Sequence, residues 1–129
     1  MKIKYDVIDS QFGPIIFSCD KQGINRVYFT KSKKPNIMDN TWHRDPSNPL
    51  LRETGKQLMA YCAGKLKKFG LPLSFKGTDF QVRVWNALVT IPYGVTWSYK
   101  RLAETIENPK ACRAVGGANA KNQISIIVP

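Results

Sequence analysis

The chain has 129 residues, 43% of them apolar, enough for one ordinary domain or two small ones and too apolar for a largely disordered polypeptide. No apolar run approaches the roughly 20 residues of a membrane-spanning helix, and the alternating start Met1-Lys2-Ile3-Lys4-Tyr5-Asp6 lacks the apolar stretch of a secretory signal, so a cytoplasmic protein is expected. Twenty Lys and Arg against nine Asp and Glu give a net charge of +11, which favours a polyanionic partner, whereas the widely spaced Cys19, Cys62 and Cys112 form no disulfide framework and, with the single His43, no zinc pattern.

The first thirty residues read as antiparallel strands. Ile3, Tyr5 and Val7 alternate with Lys2, Lys4 and Asp6, giving one buried and one wet face. Phe12-Gly13-Pro14 signals a turn, Ile15-Ile16-Phe17 a second strand, residues 20–23 another turn, and residues 24–30 a third strand. Residues 31–47 are polar, contain Pro35 and Pro46, and read as a long loop. Asn48-Pro49 then starts a helix, because Asn caps well and Pro suits the first helical position. Leu51, Leu58 and Tyr61 or Cys62 fall near one face, and the segment closes at Gly64 and Phe69-Gly70-Leu71-Pro72. Residues 1–74 are thus expected to be a small α+β unit, an antiparallel sheet with one helix.

Residues 75–129 have a different texture and are expected to be mostly helical. Gly77-Thr78-Asp79 offers a cap to an amphipathic helix with Phe80, Val84, Ala87 and Leu88 on one face. Ile91-Pro92-Tyr93-Gly94 breaks it. Ser98 caps a second helix, residues 99–106, with Leu102, Ala103 and Ile106 inward. Asn108-Pro109 starts a third, expected to end near Gly116-Gly117 because paired glycines stop helices. Two short helices joined by a tight turn make a helix-turn-helix.

The third helix carries the chemical information. Most recognition helices hold long polar side chains that reach base edges in the major groove. Here Lys110-Ala111-Cys112-Arg113-Ala114-Val115-Gly116-Gly117-Ala118-Asn119 offers Ala and Gly with a single Arg. That argues against a sequence-specific regulator. So slender a helix suits a minor groove only about 6 Å wide, read through shape and backbone.

Phe80-Gln81-Val82-Arg83-Val84-Trp85, Ile91-Pro92-Tyr93-Gly94, Ser98-Tyr99, Leu102-Ala103, Arg113-Ala114-Val115-Gly116-Gly117-Ala118, Asn122 and Ile126-Ile127-Val128-Pro129 follow in the order and spacing of the O6-alkylguanine-DNA alkyltransferases. The first unit, with its Ser10-Gln11-Phe12-Gly13-Pro14 turn, also resembles that family's accessory domain, ribonuclease H-like in outline. The resemblance covers nearly the whole chain. It implies repair of guanine alkylated at O6 in double-stranded DNA, by extrusion of the nucleotide through the minor groove and irreversible transfer of the alkyl group to a protein cysteine. It implies that Arg113 fills the gap left by the base, that Tyr99 crowds the target phosphate, and that Ala114, Gly116, Gly117 and Ala118 let the backbone approach DNA. Asn122 and Pro129 would support the active-site segment. A monomer is expected, and no metal or cofactor is needed. Trp85 and Trp97 are expected to pack.

Two departures stand out. The family has Pro after the turn Asn; this chain has Gln123, which leaves the turn less rigid. The family's nucleophilic Cys follows the final Pro, with His and Arg after it and a Glu further on that orients the His. The present sequence ends at Pro129. The nucleophile is therefore expected directly after Pro129, and these 129 residues alone are expected to be inactive in transfer. The apolar end at Ile124, Ile126, Ile127 and Val128 reads as a strand that wants burial, consistent with part of a longer chain. A truncation, or a non-catalytic protein that binds alkylated DNA, are the alternatives. Cys112 lies on the DNA-facing helix and is not expected to substitute as nucleophile.

Overall fold

Alternation of apolar and polar residues over Ile3–Val7, and the β-branched run after Pro14, produce a hairpin and then a meander. In the computed structural model, which describes residues 3–30 and 41–128, these are β1 (Ile3–Ser10), β2 (Gly13–Cys19) and β3 (Ile24–Phe29). β1 and β2 pair antiparallel from Lys4 with Cys19 to Ser10 with Gly13, and β2 and β3 from Ile15 with Phe29 to Cys19 with Ile24. The Gln11-Phe12 turn between β1 and β2 is held by Ser10, whose hydroxyl donates to the Gly13 carbonyl at 2.6 Å and accepts the Phe12 N–H at 3.1 Å.

The sheet is larger than the three expected strands and is mixed. Trp42–Arg44 forms β4, parallel to β1 at its free edge, so the sheet order is β3-β2-β1-β4. The sequence placed these residues in a loop. Three residues are too few to display an alternating pattern, and the strand is fixed by long-range contacts. Ile3 N–H donates to Thr41 O at 2.8 Å and Asp45 N–H to Tyr5 O at 2.9 Å. The Tyr5 and Trp42 rings lie 5.6 Å apart, and Arg44 pairs with Asp6 at 3.1 Å. Residues 31–40 of the expected loop lie outside the described residues.

Asn48 caps α1 (Pro49–Cys62) as expected, its side chain accepting the N–H groups of Leu50 and Leu51. The helix buries Leu51, Thr54, Gly55 and Leu58, with Gly55 against Ile8 and Phe17 on one sheet face. Tyr61 and Cys62 are only half-buried; Tyr61 stacks on Phe69 with ring centres 5.0 Å apart. Tyr5, Val7 and Ile16 cluster with Tyr28 and Trp42. At the β3 edge, residues 72–74 run alongside Ile24: Ile24 N–H donates to Pro72 O and Ser74 N–H to Ile24 O. Gly23 makes this approach possible, since a Cβ there would sit 2.4 Å from the Pro72 oxygen.

The chain divides into two compact units, Met1–Ser74 and Phe75–Pro129. The second contains α2 (Asp79–Val89), α3 (Tyr99–Thr105) and α4 (Cys112–Ala120). Thr78 and Gln81 form a reciprocal capping box at the start of α2. Val84, Trp85, Ala87 and Leu88 of α2 meet Leu102, Ala103, Ile106, Val115 and Ala118 in the core of this unit, all buried. Trp85 is a packing residue: it is 4% exposed, its ring lies 5.7 Å from that of Phe75, and its indole N–H donates to Ala118 O at 2.9 Å. Among the described residues no helix is long and apolar enough to cross a membrane.

Candidate nucleic-acid interface

The helix-turn-helix consists of α3, a turn and α4. Ser98 caps α3, accepting the Arg101 N–H at 3.1 Å, and this places Tyr99 at the first helical position with its ring half-exposed. Leu102 and Ala103 face the core, and α3 stops at Ile106. Arg83 of α2 donates to the Ile106 carbonyl, satisfying one of the acceptors left open at the end of α3. The turn then passes through Glu107 at φ 61°, with Asn108 N–H bonded to Ala103 O and Ala111 N–H to Asn108 O.

α4 differs from the sequence expectation at both ends. It begins at Cys112, with Ala111 as a cap that supplies no side-chain hydrogen bond, so Asn108-Pro109 shapes the turn before the helix. It also runs through Gly116-Gly117 to Ala120. Neither glycine has a positive φ, so neither acts as a left-handed stop.

The faces of α4 sort the expected site residues. Val115 and Ala118 point inward, at 0% and 4% exposure. Arg113, Ala114 and Gly117 are exposed, and Arg113 and Gly117 lie one helical turn apart on the same face. Gly116 is half-buried beneath Tyr99: a Cβ on Gly116 would lie 3.1 Å from Tyr99 Cε2. Four of the residues expected to let the backbone reach DNA therefore do not act alike. Ala114 and Gly117 present a slender open face, Gly116 makes room for a ring, and the Ala118 methyl belongs to the core. The burial of Ala118 follows from the close α2–α4 packing that brings Trp85 to its carbonyl.

The open face is cationic. From Asn108 to Val128 the chain holds Lys110, Arg113 and Lys121 and no Asp or Glu. Lys110, Arg113 and Lys121 are all exposed. Trp97, half-buried, carries the Arg101 guanidinium over its ring at 4.5 Å, so it too serves packing.

After α4 the chain turns at Asn122, whose amide Nδ2 donates to Val128 O at 2.9 Å while Oδ1 accepts Ile124 N–H at 2.9 Å. The expected strand over residues 124–128 is instead a tight turn, with Ile127 N–H on Ser125 O and Val128 N–H on Ile124 O. Its expected burial is present: Ile124, Ile127 and Val128 are 2%, 8% and 1% exposed. Ile126 adopts φ 74°, which a β-branched residue rarely does. Pro129 lies outside the described residues. Cys112 is exposed on the first turn of α4, whereas Cys19 is buried in the sheet, and burial pushes its thiol pKa up.

Sequence reasoning expected Trp85 to pack but missed its hydrogen bond to Ala118 O, as it missed the Arg83 contact to Ile106 O and the conformation of Ile126. The first two are contacts to backbone carbonyls distant in sequence, and the third is a backbone conformation, so none leaves a local signature.

Residues 3–75 match the family described as 6-O-methylguanine DNA methyltransferase, ribonuclease-like domain, and residues 79–129 that described as 6-O-methylguanine DNA methyltransferase, DNA binding domain. A methylated-DNA–protein-cysteine methyltransferase of Methanosarcina acetivorans is 46% identical over 125 residues, covering 97% of this chain and 79% of its own. The constitutive methylated-DNA–protein-cysteine methyltransferase of Bacillus subtilis is 40% identical over 128 residues, covering 97% and 76%. Among solved structures, Mycobacterium tuberculosis OGT in complex with DNA superimposes with a TM-score of 0.83 at 41% identity, over 98% of this chain and 74% of that one.

Proposed function

Since the chain belongs to the 6-O-methylguanine DNA methyltransferase family, we propose that it binds double-stranded DNA through the minor groove with α4 and extrudes an O6-alkylguanine for repair by transfer of the alkyl group to a protein cysteine. The observation that carries this reading is the exposed face of α4, where Arg113 stands beside Ala114 and Gly117 with no bulky side chain between them.

A groove about 6 Å wide admits a helix only where its side chains are short. Ala114 and Gly117 meet that condition. Arg113 is long enough to enter the stack and keeps its charge close to phosphates. Tyr99, half-exposed at the start of α3, is placed to crowd the phosphate of the target nucleotide and turn it outward. Asn122 fixes the turn leading to Pro129, and these two residues support the lesion pocket. Residues 75–129 are the DNA-binding part and residues 1–74 an accessory unit. The protein acts as a monomer, in the cytoplasm, without a cofactor.

Alkyl transfer needs a thiolate in line with the alkyl carbon. Cys112 sits on the DNA-facing helix, and Cys19 and Cys62 belong to the first unit. None of the three is assigned as the alkyl acceptor. The second reading is a protein that binds alkylated DNA without chemistry, which rests on the same exposed face of α4.

The test is the intact mass of the native protein before and after mixing with a duplex carrying O6-methylguanine. A gain of one methyl supports alkyl transfer. An unchanged mass with selective retention of the methylated duplex supports the lesion-binding alternative. An unchanged mass with no preference for the lesion rejects both.

A further inference from the structure

A helix-interior glycine is a poorer helix former than alanine. Gly116 has no positive φ, so its backbone does not demand glycine. What it provides is space. A Cβ at this position would lie 3.1, 3.4 and 3.7 Å from Cε2, Cδ2 and Cζ of Tyr99, whereas a Cβ at the adjacent Gly117 would meet nothing within 4 Å. The two glycines thus do different work, although in sequence they are indistinguishable. The Tyr99 ring rests against α4 at Gly116 with its remaining face open, at 48% exposure.

We propose that Gly116 is a positioning residue for base extrusion, acting through the Tyr99 ring and not by contact with DNA. The inference rests on the assignment of Tyr99 to extrusion made above. The missing side chain lets the ring settle on α4, which fixes the direction from which it meets the target phosphate. An alanine would displace the ring by several tenths of an ångström or tip it into another rotamer, because backbone lies on the other side of the contact. Alanine is the better helix former, so the variant keeps its fold.

The experiment uses a duplex with O6-methylguanine opposite cytosine and a neighbouring 2-aminopurine, whose fluorescence rises when the lesion leaves the stack. Gly116→Ala, Tyr99→Ala and the double variant are compared with the parent for extrusion and for affinity to an unmodified duplex. Gly116→Ala is expected to lower the extruded fraction about tenfold, as misplacing a positioning group does, with little change in affinity for the unmodified duplex. In the Tyr99→Ala background it is expected to add nothing, since no ring remains to displace. Equal losses from Gly116→Ala in both backgrounds, or no loss in either, overturn the proposal while leaving the role of Tyr99 intact. No loss from Tyr99→Ala itself overturns the assignment of Tyr99, and the proposal with it. An NMR readout separates the contact from the function: the ring current of Tyr99 should shift the Gly116 α-protons, and Tyr99→Leu should abolish the shift. A shift that survives Tyr99→Leu also overturns the proposal.

Discussion

The amide of Asn122 donates to the Val128 carbonyl at 2.9 Å while its oxygen accepts the Ile124 N–H, so a single side chain closes both ends of the turn that follows α4. Val128 is 1% exposed, which leaves its carbonyl little access to water. Asn122→Ala removes both bonds and is expected to cost about 2–4 kcal/mol, because the unpaired buried groups lose their partners without regaining solvent. Asn122→Asp keeps the acceptor for Ile124 but sets a carboxylate against the Val128 oxygen, and should do no better. Urea denaturation of the three proteins checks this; a loss below about 0.5 kcal/mol in either variant would remove Asn122 from its structural role.

Ile126 stands inside the same turn at φ 74°. A β-branched residue in this region stores about 1–3 kcal/mol of strain. Glycine relieves that strain at the expense of about 1–2 kcal/mol of apolar burial from a half-buried side chain. Ile126→Gly is therefore expected to change stability by less than about 1 kcal/mol. Ile124→Gly, at a 2% exposed position without positive φ, should cost about 3–5 kcal/mol. The contrast between these two neighbours, read from their denaturation midpoints, tests the strain directly. Similar losses at both positions would mean that Ile126 is not strained.

Which features were legible in the sequence follows from how local their causes are. Asn48, Thr78 and Ser98 cap helices through side chains that reach two or three residues onward, and each cap was readable as such. β1 was readable because Ile3, Tyr5 and Val7 alternate with Lys4 and Asp6 within the strand itself. β4 was not, since its three residues are held by β1 from 39 positions away. The start of α4 was misplaced because Ala111 gives no capping signal, and its end because paired glycines resemble a stop. Of the proposed site residues, Arg113, Ala114 and Gly117 were singled out by residue type, and they stand exposed on α4. The separate fates of Gly116 and Ala118 depend on which way each Cα faces, under Tyr99 or under Trp85, and residue type alone does not encode that.

Cys19 links stability to alkaline pH. Burial is the main cause raising its thiol above the ordinary value of 9.0, with Asp20 and Asp45 adding to the rise and Lys4 opposing it. Because the folded thiol holds its proton more tightly than the unfolded one, its contribution is complete below 9.0 and is lost as pH climbs beyond that value. Tyr28, also raised by burial, adds a similar loss above its ordinary value of 10.0. Unfolding free energy should fall on moving from about pH 8 to about pH 10, and Cys19→Ala should flatten the earlier part of that fall. A disulfide reagent at neutral pH should label exposed Cys112 first, half-buried Cys62 later, and Cys19 only on unfolding. An unchanged pH profile in Cys19→Ala would assign the alkaline loss elsewhere.

Binding through Lys110, Arg113 and Lys121 should be electrostatic and weakly dependent on sequence. Each neutralised phosphate releases condensed counterions, so three contacts predict a slope of about −2.7 in log affinity against log salt from α4 and its flanking residues. Arg113→Ala removes one contact, which should make the slope shallower by about 0.9 and weaken binding to an unmodified duplex modestly. Extrusion should suffer far more, because the gap in the stack then has nothing to fill it. Gly117→Ala makes an instructive companion. Its new methyl meets nothing within 4 Å of the free protein, so helix propensity should stabilise the fold by up to about 1 kcal/mol. The same methyl stands on the face proposed to enter the groove, so duplex affinity should drop even as the melting temperature rises. A variant that gains stability and keeps full affinity would show that Gly117 does not face the DNA. Equal losses of extrusion and of duplex affinity in Arg113→Ala would reduce that residue to an ordinary phosphate contact.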